Sequence, residues 1–204
     1  MITTKYLIAL FVSLSCLSCN NESVFSDLEE QICQENDTTY YGEGRTNHDS
    51  TKIVLPERTI NDSLKILAIG NSFTDDATAY LPNLIECAKL ARIKVAKIVL
   101  GGTSLEFHYN HAMKNDDVYD YYISEGGKSF KNLGKSSFYE AICDDHWDIV
   151  ILQQLSQLSG QHNTYQPYLD SLIMFVHQQL PKTIIGWQMT WAYSSNSTHA
   201  AENG

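Results

Sequence analysis

The sequence predicts a three-layer α/β/α domain built around a parallel sheet. Short apolar runs at residues 64–69, 95–100, 147–152 and 183–189 have the length and composition of buried parallel strands. Helical patterns lie between these runs, and strands that alternate with helices are typical of a parallel sheet covered on both faces. Residues 103–135 carry the weakest pattern, and we predict an irregular excursion there.

Three stretches between the strands carry helical signals. After Ser72, apolar residues recur at helical spacing, and Pro82 marks either a first turn or a kink. The Ser-Phe-Tyr-Glu sequence at residues 137–140 is a capping-box pattern that opens a short helix. An apolar stripe over residues 165–180 stops at Pro181 and predicts a longer helix.

The N-terminal residues 1–19 are typical of a bacterial lipoprotein signal peptide. A basic start at Lys5 precedes a short apolar run at residues 6–12, which is too short to span a bilayer. Ser18 then stands directly before Cys19, where cleavage would leave a thiol for lipidation. Cys16 is the alternative lipidation site. The other interpretation of this segment is an ordinary signal peptide with incidental cysteines. We therefore expect an exported protein that is attached to the membrane through its lipid anchor only.

The rest of the chain divides into a tether and a folded domain. Residues 20–62 are polar without a sustained apolar period, which indicates a tether. We assign residues 63–204 to the folded domain. The net charge of −10 repels phosphate backbones, so nucleic acid is excluded as a partner.

The sequence carries no pattern for a metal or an organic cofactor. His108 and His111 are spaced like a metal-binding pair, but no third ligand is evident. The cysteines have irregular spacing that fits neither a disulfide framework nor a zinc site. We therefore predict chemistry that uses side chains and backbone alone.

Distinctive polar sequences follow each predicted strand. They are Gly-Asn-Ser-Phe-Thr at 70–74, Gly-Gly-Thr-Ser at 101–104, Gln-Gln-Leu-Ser-Gln at 153–157 and Thr-Trp-Ala-Tyr at 190–193. Ligands of open parallel sheets bind at the carboxyl ends of the strands, so these sequences predict one site.

Ser72 is the candidate nucleophile of that site. It lies between a strand and a helix N-terminus, where backbone N–H groups favour a developing oxyanion. Gly102 has no side chain and can bring a further N–H close to the same oxygen. Gln153 or Gln154 could supply a side-chain donor. In the alternative interpretation, Ser72 is only a helix-capping serine.

These sequences resemble the SGNH (GDSL-like) hydrolase superfamily. Residues 70–73 resemble its first block, in which Asp more often stands at position 71, and residues 100–104 resemble the second block, whose glycine matches Gly102. Residues 147–154 resemble the strand that leads to the third block. The sequence is most similar to an uncharacterised SGNH-like family of bacterial lipoproteins with Gly-Asn-Ser-Phe and Met-Thr-Trp-Ala-Tyr strings.

The resemblance implies a flavodoxin-like parallel sheet and a serine ester hydrolase without a cofactor. Ser72 would be the nucleophile, and the oxyanion hole would consist of Ser72, Gly102 and Gln154. The substrate would be a small-molecule or glycan ester, such as an acyl or acetyl ester of carbohydrate at the cell envelope. Trp191 and Tyr193 would either form a wall that stacks on the substrate or serve only in packing of the domain. The alternative is a non-catalytic carbohydrate-binding lipoprotein on the same fold.

The sequence departs from the superfamily pattern in two places. The third block normally supplies Asn, whereas this chain offers Gln153, Gln154 or Gln157. The superfamily's base lies in an Asp-x-x-His block, which is absent after the fourth predicted strand. We therefore expect the domain to lack its last strand and helix. Among the histidines within the chain, His199 is the candidate base.

Two other groups of histidines are weaker candidates. His108 and His111 follow the Gly102 loop, but a surface or hydrogen-bonded histidine explains each of them. His146, in the Asp144-Asp145-His146 sequence, precedes a strand. It therefore belongs to the opposite end of the sheet from Ser72.

Overall fold

A computed structural model describes residues 63–190 of the chain. The predicted signal peptide with Cys16 and Cys19, the tether, and Trp191, Tyr193 and His199 lie outside the described residues. Within residues 63–190, no helix is long and apolar enough to cross a membrane.

In residues 63–190, six strands form one sheet in the order β4-β3-β2-β1-β5-β6. Their bounds are β1 (Leu64–Gly70), β2 (Ile93–Val99), β3 (Tyr119–Glu125), β4 (Lys131–Ser136), β5 (Ile149–Gln153) and β6 (Ile184–Gln188). The four predicted strands are β1, β2, β5 and β6, and their neighbouring pairs are all parallel. The predicted parallel sheet is therefore confirmed for these four strands.

Within the described part of the chain, five α-helices connect the strands: α1 (Ser72–Thr78), α2 (Leu81–Cys87), α3 (Leu105–Lys114), α4 (Phe138–Cys143) and α5 (Tyr168–Gln179). Pro82 lies in the first turn of α2, so the first-turn interpretation is confirmed. The capping box of Ser137 and Glu140 is also confirmed. Two short 3₁₀ turns, Ser156–Leu158 and His162–Thr164, lie between β5 and α5.

The prediction of an irregular excursion at residues 103–135 is wrong. This stretch holds α3 and an antiparallel hairpin of β3 and β4 that extends the sheet beyond β2. The sheet is therefore mixed rather than wholly parallel. Most of β4 is exposed and polar, with Lys131 and Lys135 on the outermost strand. Lysines on an edge strand hinder pairing with other chains and leave no apolar period in the sequence.

Alternate residues of the central strands enter two separate cores. On β1, Leu67 and Ile69 belong to the core that α3, α4 and α5 cover. Ile66 and Ala68 belong to the core on the other face, which α2 covers. This alternation follows from the period of two along a strand. It yields the predicted three layers and brings the loops after β1, β2, β5 and β6 to one edge of the sheet.

Candidate active site

Ser72 is the first residue of α1 and is exposed. The preceding residue, Asn71, caps the helix: its Oδ1 accepts a hydrogen bond from the Phe73 N–H at 3.0 Å. The Asn71 carbonyl accepts from the N–H groups of Thr74 at 3.0 Å and Asp75 at 3.1 Å. Within residues 63–190, neither the hydroxyl nor the N–H of Ser72 has a hydrogen-bond partner. Both groups are therefore available to a ligand.

The Gly102 loop is tied to the Ser72 turn by two hydrogen bonds. The Leu100 N–H donates to the Gly70 carbonyl at 3.0 Å, where β2 and β1 end. Asn71 Nδ2 donates to the Thr103 carbonyl at 3.1 Å. The structure therefore places Ser72 and Gly102 in adjacent loops, as the sequence predicts.

Gly102 has a φ of +69°, in the left-handed region. A β-carbon at this position would have no other atom within 4 Å. Glycine is therefore favoured here by backbone conformation rather than by lack of space. The loop itself is exposed at both Gly101 and Gly102.

A buried network of neutral side chains lies beneath the Ser72 turn. Gln153 Nε2 donates to Asn71 Oδ1 at 2.9 Å, and its Oε1 accepts from the Thr74 hydroxyl. Gln188, at the end of β6, contacts the Thr74 hydroxyl at 3.1 Å and donates from Nε2 to the Phe73 carbonyl at 3.0 Å. Asn71 and Gln153 are each 1% exposed, and Gln188 is 5% exposed. Gln153 is thus part of the support for the turn.

The structure directs Gln154 away from Ser72. Its Oε1 accepts from the N–H groups of Leu105 at 3.0 Å and Leu155 at 2.9 Å. Its Nε2 donates to Thr164, at 3.3 Å to the carbonyl and 3.1 Å to the hydroxyl. Both amide hydrogens are therefore engaged. The predicted oxyanion role of Gln154 stays a prediction that would require its amide to leave Thr164.

Gln157 is the third candidate glutamine and differs from the other two in exposure. It lies in the 3₁₀ turn after β5 and is exposed. Its Oε1 accepts from the Ser156 hydroxyl at 3.1 Å. Among residues 63–190, the amide nitrogen of Gln157 has no hydrogen-bond partner and can serve an external ligand.

His108 braces the Gly102 loop from the interior. It is 1% exposed, and its Nε2 lies 3.2 Å from Thr103 Oγ1 while its Nδ1 lies 2.9 Å from the Tyr119 hydroxyl. Because Thr103 Oγ1 donates its own hydrogen to the Leu100 carbonyl at 2.8 Å, Nε2 must carry the ring hydrogen and Nδ1 must accept. Burial lowers the pKa of His108 to about 3, and the neighbouring His111 adds to that shift. His108 is therefore a neutral structural histidine.

The other candidate histidines among the described residues lie away from the Ser72 hydroxyl. His111 Nδ1 contacts Asp116 Oδ2 at 2.8 Å at the far end of α3. His146 follows Asp145, which pairs with Lys65 and Lys94 at the amino ends of β1 and β2. The prediction that His146 lies at the opposite end of the sheet is confirmed.

Sequence reasoning missed Lys97 near this site. Its Nζ lies 2.6 Å from Asp75 Oδ1 and 4.1 Å from the centroid of the Phe130 ring. Lys97 is 4% exposed, and Asp75 lies in the first turn of α1. The ion pair therefore fastens the helix that begins at Ser72 to β2. The indication in the sequence was that Lys97 is a single lysine within the apolar run at residues 95–100.

Metal ligation finds no support in the described part of the chain. Residues 63–190 contain no group of three or more histidine, cysteine or acidic side chains arranged to hold a metal ion. Both ring nitrogens of His108 face protein partners, so it is unavailable for the metal-binding pair with His111.

The fold and the site together define a three-layer α/β/α protein that presents an exposed serine at the carboxyl edge of its parallel strands. The chain belongs to the DUF4886 family, described as a domain of unknown function, whose profile matches residues 65–203. No curated protein is significantly similar to the chain.

A solved structure of the same family supports this assignment. It is the 1.50 Å crystal structure of a DUF4886 family protein from Bacteroides uniformis ATCC 8492. It is 30% identical, with a TM-score of 0.62 over 68% of this chain. The match covers 54% of that protein, so this chain spans about half its length. The resemblance to SGNH hydrolases stays a prediction.

Proposed function

We propose that the full-length protein is a serine ester hydrolase of the SGNH type. The observation that carries the proposal is the exposed Ser72 at the start of α1, next to Asn71, whose side chain hydrogen-bonds to the Gly102 loop. A hydroxyl at the end of a parallel strand, with the unengaged N–H of Ser72 itself and the Gly102 loop beside it, offers the nucleophile and an oxyanion donor that acyl transfer uses.

The proposed reaction proceeds through an acyl-enzyme. Ser72 Oγ attacks the ester carbonyl carbon while a histidine takes the hydroxyl proton. The N–H groups of Ser72 and Gly102 stabilise the resulting oxyanion. Collapse of the intermediate breaks the ester C–O bond, and the leaving alkoxide takes the proton from the histidine. Water then repeats the sequence on acyl-Ser72, and releases the carboxylic acid and the free serine.

In this proposal the base comes from outside residues 63–190, because no histidine within them hydrogen-bonds to Ser72. His108 and His111 are engaged with Thr103, Tyr119 and Asp116. His199 or a histidine elsewhere in the full-length protein therefore takes the proton. An aspartate that accepts a hydrogen bond from that histidine would orient it.

The proposed substrate is an acyl or acetyl ester of carbohydrate at the cell envelope. Two sequence features support the location: the lipoprotein-like signal at residues 1–19 and Cys19 as the lipidation site. Two acyl chains on one cysteine suffice for stable membrane attachment. Trp191 and Tyr193 would form the wall against the substrate. Mass spectrometry of the mature N-terminus tests the anchor, and an intact Met1 would contradict it.

The function is tested with the full-length protein and p-nitrophenyl acetate. We expect the wild type to hydrolyse the ester and to be labelled at Ser72 by a fluorophosphonate. Ser72→Ala should reduce kcat/KM by about 10³-fold or more and abolish labelling. The matched control is Ser63→Ala, the same change at an exposed position before β1, which should behave as wild type.

A non-catalytic carbohydrate-binding protein is the second candidate function. It is favoured by one observation: no histidine within residues 63–190 hydrogen-bonds to Ser72. Equal hydrolysis rates in wild type and Ser72→Ala would remove the nucleophile and support this alternative. Glycan binding that survives Ser72→Ala would then be the expected result.

A further inference from the structure

We infer that Asn71, held by Gln153 within a turn that Gln188 supports, is a positioning residue that couples the Ser72 turn to the Gly102 loop. The inference rests on the proposed function for its catalytic consequence. In structural terms, the Asn71 side chain and the Leu100–Gly70 backbone hydrogen bond together set the relative position of the two loops that would hold the oxyanion.

Asn71 uses both ends of its amide. Oδ1 accepts from the Phe73 N–H at 3.0 Å and from Gln153 Nε2 at 2.9 Å. Nδ2 donates to the Thr103 carbonyl at 3.1 Å, one residue beyond Gly102. Position 71 therefore requires an acceptor toward α1 and a donor toward the Gly102 loop at the same time.

An ionised carboxylate cannot meet this requirement. Aspartate matches asparagine in shape but has no hydrogen to donate, so it would face the Thr103 carbonyl oxygen with a charged acceptor. The position is 1% exposed, and an unpaired charge there carries a large desolvation penalty. The amide at this position is thus chemically specific, although Asp more often occupies it in SGNH hydrolases.

The Phe73 N–H sets the orientation of that amide, and Gln153 and Gln188 support the turn around it. Because the Phe73 N–H fixes Oδ1 as an acceptor, Gln153 must present its Nε2 to Asn71 and its Oε1 to the Thr74 hydroxyl. Gln188 holds the Phe73 carbonyl from β6 at 3.0 Å. The ends of β1, β5 and β6 therefore support one turn through neutral hydrogen bonds.

The experiment compares Asn71→Asp with wild type in the full-length protein. At pH 8 we expect kcat to fall about 10²-fold, the loss typical of a misplaced or missing oxyanion donor, with KM within about 3-fold of wild type. Burial and the facing carbonyl raise the pKa of the introduced carboxyl. Once protonated, that carboxyl can donate to Thr103, so the ratio of variant to wild-type kcat should rise as pH falls.

Two further variants keep the test decisive. Asn132→Asp makes the same change on the exposed β4, where Oδ1 only accepts from the Gly134 N–H at 2.7 Å, and should leave kcat unchanged. Gln188→Met keeps the side-chain volume but removes the bond to Phe73, and should lower kcat about tenfold at an unchanged KM. If Asn71→Asp does not fold, Gln188→Met provides the test of the inference.

The outcomes separate this inference from the proposed function. If Ser72→Ala is inactive but Asn71→Asp keeps wild-type kcat, the inference fails and the function stands. A kcat deficit that does not shrink on acidification also overturns it, because that result indicates general disruption. If Ser72→Ala is fully active, the function fails. Hydrogen exchange then decides the coupling. Asn71→Asp should speed exchange at least tenfold for the amides of Leu100 and Leu105, which donate to the Gly70 carbonyl and to Gln154 Oε1 on either side of the Gly102 loop, and an unchanged rate overturns it.

Discussion

The carboxyl ends of the parallel strands form one edge of the sheet and their amino ends form the opposite one. Different side-chain interactions hold these two edges together. At the carboxyl edge, the neutral side chains of Asn71, Gln153 and Gln188 join the strand ends. At the amino edge, Asp145 accepts from Lys65 and, at 3.0 Å, from Lys94. The neutral network is at most 5% exposed. The charged side chains of the other edge are between 17% and 32% exposed.

This contrast follows from what burial costs each kind of group. A buried charge carries a penalty of several kcal/mol, so an ion pair is best placed where water reaches it. A buried amide is tolerated when all of its hydrogen bonds are made, and it then fixes geometry closely. The network beneath Ser72 thus fixes position through neutral groups, and the one charged contact that the described residues add nearby is the Lys97–Asp75 pair between β2 and α1. We expect substitutions at the carboxyl edge to cost more than those at the amino edge.

The largest effect is expected for Gly70→Ala, within the neutral network. A β-carbon there would overlap the Thr74 hydroxyl and lie 2.5 Å from Gln153 Oε1. Relief requires Thr74 or Gln153 to move and lose buried hydrogen bonds, so the free energy of unfolding should fall by about 3 kcal/mol. Urea denaturation measures this. The control Gly101→Ala has open space around its β-carbon and should cost less than about 1 kcal/mol.

A smaller effect is expected from His108, the neutral brace behind the Gly102 loop. Its pKa is lowered by burial to about 3, from an ordinary value of 6.5. Below pH 6.5, His108 is therefore protonated in the unfolded chain but stays neutral in the folded chain. The free energy of unfolding consequently falls as pH falls from 6.5 toward 3. From pH 7 to 4.5, this loss should be about 2 kcal/mol.

His108→Gln tests that expectation because glutamine can donate and accept but does not titrate. Its free energy of unfolding should fall less than that of wild type between pH 7 and 4.5. His146→Gln, at an exposed position, is the control and should keep the wild-type pH dependence. Identical pH dependence in His108→Gln and wild type would show that folding does not lower the pKa of His108.

The sequence predicted the parts of the molecule that depend on local pattern. The four apolar runs and the Ser72 turn are such parts, because a buried parallel strand and its following loop are visible within a few residues. The exposed β4, with Lys131 and Lys135, has no apolar period to detect. α3 was missed although Ser104 caps it and Leu105, His108 and Ala112 repeat at helical spacing on its buried side.

The residues that support Ser72 were harder to predict because their partners are distant in the chain. Gln188 lies 115 residues from Phe73, and no local pattern links them. The choice between Gln153 and Gln154 depends on which face of β5 each occupies. Alternation along the strand indicates that the two glutamines face opposite layers. It does not reveal that Asn71 receives one of them and Thr164 the other.

The smallest effect is expected at the amino edge, for Asp145→Asn. Burial alone would raise the pKa of Asp145, but hydrogen bonds from Lys65 and Lys94 outweigh it and lower the pKa to about 2. The ion pairs therefore stabilise the fold above the ordinary value of 3.8, and this contribution is lost as pH falls toward 2. Because water screens the partly exposed lysines, we expect a loss of about 1 kcal/mol at pH 7. The loss should shrink below pH 4 and in 1 M salt.

The control is Asp120→Asn, whose pair with Lys135 at 2.9 Å is about half exposed and should contribute at most about 0.5 kcal/mol. Urea denaturation at pH 7 and pH 3 measures both variants. A larger loss for Asp145→Asn than for Gly70→Ala would reverse the ranking of the two edges.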